Sequence, residues 1–297
     1  MVLGEKRMLT NPGVSYFKDI DKVISVCSIK DISVWALAAK YLTDFIDAVE
    51  FVVIVPETDL DQFRAVTPNT IKVISEKIYT DQIYKLLKPK FNEKNIGRYG
   101  WYLQQFIKLV ALSEAKDDET YLIWDADTIP LRPLTFNSRD GLAYYKATEH
   151  HLPYFEVISR LLGLEKIVSH SFIAQCFPAR GAWMREFIFF IESRQGLPWL
   201  EAIIETTNFQ EISGFSEYET LGTFFSHKYT DRIRFTNKKW LRFGHSVIGG
   251  IHKFNHPHSK LLLSSFDFVS FEAWDKPWIK KLIENMVMRL STRFSLK

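Results

Sequence analysis

Two aspartates separated by a single residue, Asp125 and Asp127, follow directly on the apolar run Thr120 to Trp124 (TYLIW). Side chains alternate along an extended chain, so both carboxylates are expected on one side of it. Carboxylates this close repel one another unless a cation sits between or beside them. A hard divalent ion, Mn²⁺ or Mg²⁺, suits such oxygen donors. Shared with the two phosphates of a nucleotide ligand, that ion would neutralise charge building on a departing diphosphate. Acidic tripeptides are common in solvated turns, but this one comes after a fully apolar strand and before Ile-Pro-Leu-Arg-Pro-Leu. That context favours a functional role.

The surrounding sequence predicts the elements that must position the pair. Lys22 to Ile29, Glu50 to Pro56, Ile71 to Ser75 and Thr120 to Trp124 read as short buried strands. A helical pattern carrying Trp35, Leu37, Ala38, Tyr41 and Leu42 separates the first two, and Arg98 to Ala115 reads as a strong helix. Apolar strands alternating with helices predict an α/β protein with a mostly parallel, doubly wound sheet. Ligands bind such sheets beyond the carboxyl ends of the strands, and Asp125 lies there. The second half is less regular. Strands are expected at Gly141 to Lys146 and Ser171 to Phe177. Helices are expected at Tyr154 to Leu162, Ala182 to Ser193, Pro198 to Thr206 and Glu217 to His227, with short strands and loops from Arg232 to Val269. With no linker and no repeat, one domain is expected. Its halves are a nucleotide-binding part, 1–130, and an acceptor part, 131–274, with a basic amphipathic helix at 275–297.

The stretch YLIWDADTIPLRPL resembles the metal-binding motif of nucleotide-sugar-dependent glycosyltransferases with the GT-A fold, a Rossmann-type sheet flanked by helices. The lead-in GRYGWYLQQFIKLVAL is similar to that of an uncharacterised bacterial branch of these enzymes. With SFIAQCF and FSEYETLG as further anchors, the resemblance covers roughly residues 95 to 225. It implies Asp127 on the metal and Asp125 on metal and ribose. It also implies a polar or basic contact to the nucleotide from the preceding helix, where Gln105 and Lys108, three apart, share a face. SHSFIAQCF resembles the strand lining the donor-sugar pocket, which makes Ser171 and Gln175 hydroxyl binders. The helix opening at FSEYETLG looks like the element that supplies a general base for the acceptor hydroxyl in inverting members. Glu217 and Glu219 are the candidates. Ser216 with Glu219 also matches a capping box, which leaves Glu217 freer to face a cleft. A histidine near the C-terminus often completes the metal shell in that fold, and His245 is taken for this role. A nucleoside-diphosphate sugar donor and a glycan or lipid-linked glycan acceptor, in cell-surface polysaccharide synthesis, are the implied partners.

Two other readings compete. Tyr121 to Thr128 also resembles the start of haloacid dehalogenase-type phosphatases, with Asp125 as nucleophile and Asp127 as acid and base. About three strands precede the motif, however, and no later Gly-Asp-x-x-x-Asp segment completes that site. The other is a carbohydrate-binding protein without catalysis.

Bulk properties set outer bounds. Hydrophobic residues make up 46% of the 297 and charged residues 25%, which argues against disorder. A net charge of +3 is too small to imply nucleic acid. Cys27 and Cys176 lie in apolar runs without metal spacing and are expected as buried free thiols, as suits a reducing compartment. No signal-peptide apolar region opens the chain and no run is long enough to span a bilayer, so a cytoplasmic location is expected, either free or at the inner membrane face. Trp278, Leu282, Met286, Leu290 and Phe294 recur every four residues among lysines and arginines. That pattern suits either packing on the domain or docking in a membrane interface.

Overall fold

The computed structural model describes residues 19–138 and 141–276. The first part runs β1 (Ile20–Val26), α1 (Ile32–Phe45), β2 (Ala48–Val55), α2 (Leu60–Val66), β3 (Ile71–Ser75), α3 (Lys77–Leu87), α4 (Tyr99–Ser113) and β4 (Thr120–Trp124). It continues with β5 (Thr128–Pro130), β6 (Asn137–Ser138), β7 (Gly141–Tyr145), α5 (Leu152–Leu162), β8 (Cys176–Arg180), α6 (Gly181–Gln195), α7 (Trp199–Thr206) and α8 (Glu217–Lys228). The last described elements are β9 (Ile233–Thr236), β10 (Trp240–Leu241), α9 (Gly244–Ile248), α10 (Pro257–Leu263) and β11 (Phe268–Ser270).

The main sheet has the order β3-β2-β1-β4-β8. Its first four strands are parallel, and β8 closes one edge antiparallel to β4. This is the mostly parallel α/β sheet that the apolar runs predict. Each run is continuous because both faces are covered. Along β4, Tyr121 and Ile123 join one core cluster while Leu122 and Trp124 join the other. Burying each such side chain contributes about 1.5–3 kcal/mol. Pro178 sits in β8, where an edge strand tolerates a missing backbone donor. The order reverses between β1 and β4, the place where doubly wound sheets open a crevice at their carboxyl ends.

Two three-stranded sheets accompany the main one. In the order β10-β11-β5, the strand that follows the aspartates pairs with one from near residue 270. The third has the order β6-β7-β9. The strand β8, from beyond residue 130, completes the main sheet, so both halves share it.

The structure corrects several local expectations. Extended chain stops at Trp124: Asp125 to Thr128 is a tight turn in which the Thr128 amide donates to the Asp125 carbonyl at 3.0 Å. The turn, not strand alternation, sets the directions of the two carboxylates. The stretch from Ser171 is irregular until Cys176, because Gln175 takes the left-handed region with φ 64°. Helices α2 and α3, absent from the sequence reading, form over short amphipathic stretches. In α3, Thr80, Ile83 and Leu87 are buried at helical spacing. Both cysteines are buried and free. Among the described residues no helix is long and apolar enough to cross a membrane. The predicted C-terminal amphipathic helix has its body at 277–297, outside the described residues.

Candidate active site

Helix α4 packs between the sheet and α8, and most of its residues are buried, Gln105 and Lys108 among them. A buried ammonium costs several kcal/mol unless anions surround it. Lys108 has two. Its Nζ lies 2.6 Å from Asp125 Oδ1 and 2.9 Å from Glu217 Oε1. The Tyr218 hydroxyl donates to the same Asp125 oxygen at 2.7 Å. Burial opposes the lysine charge, but Asp125 and Glu217 together outweigh it and hold Lys108 above the ordinary lysine range. Burial raises Glu217, partly countered by Lys108. Three elements thus meet at one charge: the end of β4, the middle of α4 and the start of α8.

Asp127 has a different environment. Burial pushes its carboxyl well above the usual carboxylate range, and the nearby negative charges of Asp125, Glu272 and Asp31 push it further. Thr128 Oγ1 donates to Asp127 Oδ1 at 3.3 Å and is itself bonded to Ser270 Oγ at 2.8 Å. The Asp127 carbonyl accepts from the Phe271 amide at 2.8 Å. A carboxylate crowded by three others fits a divalent cation by charge and by oxygen chemistry. Among the described residues no three His, Cys, Asp or Glu side chains converge as a finished ion cage. An ion here would take the two aspartates and complete its shell from its ligand.

Both aspartates, Glu217, Gln105, Lys108 and Gln175 line one cleft of about 660 Å³, within the range of small-molecule sites. Gln175 reaches it from its turn. Its carbonyl accepts from the Asp125 amide at 2.9 Å and its Nε2 donates to Glu272 at 3.3 Å. Gln105 uses its oxygen to accept the Glu217 amide at 3.2 Å.

The structure separates other predicted residues from the cleft. Glu219 is 0% exposed; it accepts from Ser171 Oγ at 2.6 Å and the Phe172 amide at 2.9 Å, and pairs with Lys166. That set holds the chain before β8 onto α8. The Glu219 amide donates to Ser216 Oγ, which is half of the expected capping box. The Ser171 hydroxyl is committed to Glu219, away from the cleft. His245 is buried at the start of α9 with its ring roughly perpendicular to that of Phe271, 5.3 Å between centroids, and does not line the cleft.

The sequence reading missed much of the opposite wall. Arg242 Nε donates to Glu272 Oε1 at 2.7 Å and its guanidinium also pairs with Glu149, while Trp274 donates to Glu272. Burial opposes the Arg242 charge, but Glu272 and Glu149 hold it above the ordinary range. These residues come from three distant segments, and no local spacing announces them.

A family model described as a family of unknown function, DUF6492, matches residues 19–241. No curated protein matches the chain. Among solved structures, galactosyltransferase LgtC in complex with donor and acceptor sugar analogues is 13% identical, over 86% of this chain and 89% of that one, with a TM-score of 0.48. Mouse xyloside xylosyltransferase 1 in its apo form is 9% identical, over 86% and 99%, with a TM-score of 0.49. The apo glycosyltransferase GlyE of Streptococcus pneumoniae TIGR4 is 16% identical, over 87% and 56%, with a TM-score of 0.44. Likeness at this level says nothing about chemistry, which has to come from the geometry of the cleft.

Proposed function

We propose that this chain, which belongs to the DUF6492 family of unknown function, moves a sugar from a nucleoside diphosphate to a hydroxyl of a glycan acceptor, assisted by a divalent cation. One observation carries the reading. Lys108 clamps Asp125 to Glu217 beside the uncompensated carboxyl of Asp127, at the sheet's switch point and in a cleft large enough for such a donor. The site thus offers oxygen ligands for a cation and a separate carboxylate for proton transfer, a few ångströms apart across one ammonium.

Asp125 and Asp127 would hold the ion, whose contribution when bound is neutralisation of the diphosphate leaving group. Asp125 is fixed for this by Lys108 and the Tyr218 hydroxyl, so its free oxygen is set in direction. Glu217 gives Oε1 to Lys108 and keeps Oε2 outside that pair, available to take the proton of an acceptor hydroxyl. The Gln105 amide, buried on the cleft wall, and Gln175 would bond ligand oxygens. Such positioning groups raise the effective concentration of the reacting atoms.

The test is a panel of nucleoside-diphosphate sugars screened for Mn²⁺-dependent thermal stabilisation, followed by nucleoside diphosphate release with and without glycan acceptors. The Asp127→Ala variant should fold as the parent does and lose the metal-dependent part of the stabilisation. Unchanged metal-dependent binding in that variant would sink the proposal. Phosphate release from simple phosphomonoesters, without nucleotide-sugar binding, would favour covalent chemistry at Asp125 instead.

A further inference from the structure

Helix α4 carries more than Lys108 to the cleft. Arg98 at its N-cap and Trp101, Gln105 and Lys108 within it fall at offsets of 3, 7 and 10 residues and line the same cavity. Residues at that spacing share one helix face. At 1.5 Å per residue the stripe extends about 15 Å from the reacting centre.

Arg98 lies over the Trp101 ring at 4.1 Å. Its Nε donates to the Ile212 carbonyl at 2.6 Å and its Nη2 to Ser213 Oγ at 3.2 Å. A guanidinium has five N–H donors, and these contacts use two of them. Arg242 across the cleft is matched by Glu149 and Glu272, but no carboxylate pairs with Arg98 among the described residues. Burial holds Arg98 below the ordinary arginine range, the mark of a cation partly stripped of water without an anion in return.

A second observation points the same way. Gln105 is 4% exposed and lines the cleft, yet its Nε2 has no hydrogen-bond partner among the described residues. A buried donor left unpaired is costly, and a ligand oxygen would recover that cost. The two groups that accept from Arg98, the Ile212 carbonyl and the Ser213 hydroxyl, lie in the segment that runs directly into Glu217, and Tyr154 lines the same cleft, so the unmatched arginine belongs to the Glu217 side.

We infer that Arg98, with Ser213 and Tyr154, forms an anion-reading subsite for the acceptor, which is therefore an acidic glycan bearing a carboxylate or phosphate near the hydroxyl that receives the sugar. This rests on Glu217 facing the acceptor, as proposed above. A planar guanidinium with free paired donors is suited to two-pronged recognition of such groups.

The experiment compares binding of trigalacturonate with that of its full methyl ester, which keeps the shape and removes the charge. Wild-type protein should prefer the acid by roughly tenfold, the size expected of one charge-assisted contact. Arg98→Gln should abolish the preference and leave Mn²⁺-dependent binding of uridine diphosphate unchanged. Inorganic phosphate should compete with the acid but not with the ester on the wild-type protein, a readout that needs no variant. Equal binding of acid and ester, binding of neither, or a preference that survives Arg98→Gln would overturn the inference. Weaker uridine diphosphate binding in Arg98→Gln, without an acid preference, would assign the anion to the donor and overturn the acceptor reading. Failure of the transferase proposal itself reads out separately, through uridine diphosphate binding in Asp127→Ala.

Discussion

Replacing Lys108 with methionine keeps most of the side chain's bulk and removes its charge. Asp125 and Glu217 would then face each other in a buried site without a cation, and removal of one partner from a buried ion pair costs about 3–5 kcal/mol. Urea unfolding of Lys108→Met should show that loss near neutral pH. The sign of its pH dependence follows from Glu217. Burial already raises this carboxyl, and loss of Lys108 raises it more. A raised carboxyl penalises the fold above its folded pKa and not below its unfolded one, so the deficit of Lys108→Met should shrink as pH falls through that window. Adding Glu217→Gln should restore part of the stability at neutral pH. The same raised carboxyl governs catalysis if Glu217 takes the acceptor proton. The rate should then fall with decreasing pH along a limb lying above an ordinary glutamate, and in Glu217→Gln both the rate and that limb should be lost. A limb at the ordinary glutamate value would count against Glu217 as the base.

At the level of elements, two glycines separate close packing from open surface. The start of α6 lies against the chain that leaves α4, and a Cβ at Gly181 would stand 1.9 Å from the Lys116 carbonyl oxygen. Backbone cannot swing away as a side-chain tip can, so Gly181→Ala should destabilise by about 1–3 kcal/mol through overpacking. Gly100, in the first turn of α4, meets nothing within 4 Å. There Gly100→Ala should stabilise by about 0.5–1 kcal/mol, because alanine loses less backbone freedom on entering a helix. Paired melting curves check both signs, and a rise for Gly181→Ala would show that the contact relaxes. The elements also show what local sequence can reveal. The parallel strands and α4 were legible because their apolar residues recur at the spacing of the structure they form. The break at Gln175 was not, since a glutamine with positive φ is held there by its contacts with Asp125 and Glu272 rather than by local preference.

For the molecule as a whole, part of the cleft was readable in advance and part was not. Asp125, Asp127, Gln105, Lys108 and Glu217 lie in segments whose own pattern announces a strand end or a helix. Glu149, Arg242 and Glu272 reach the cleft from loops, where the side chain's direction depends on long-range packing. His245 shows the converse. Its residue type suits a metal, but its place in α9 turns it against Phe271.

The pairing of β5 with β11 affects how the protein comes to life on the ribosome. The aspartate turn leaves the exit tunnel well over a hundred residues ahead of the strand that braces it through Ser270 and Phe271. During that stretch of translation a nascent chain displays its acidic tripeptide on an unbraced turn. If the cleft holds a nucleotide as proposed, its competence to do so should therefore switch on late and abruptly, once residues 268–271 have docked.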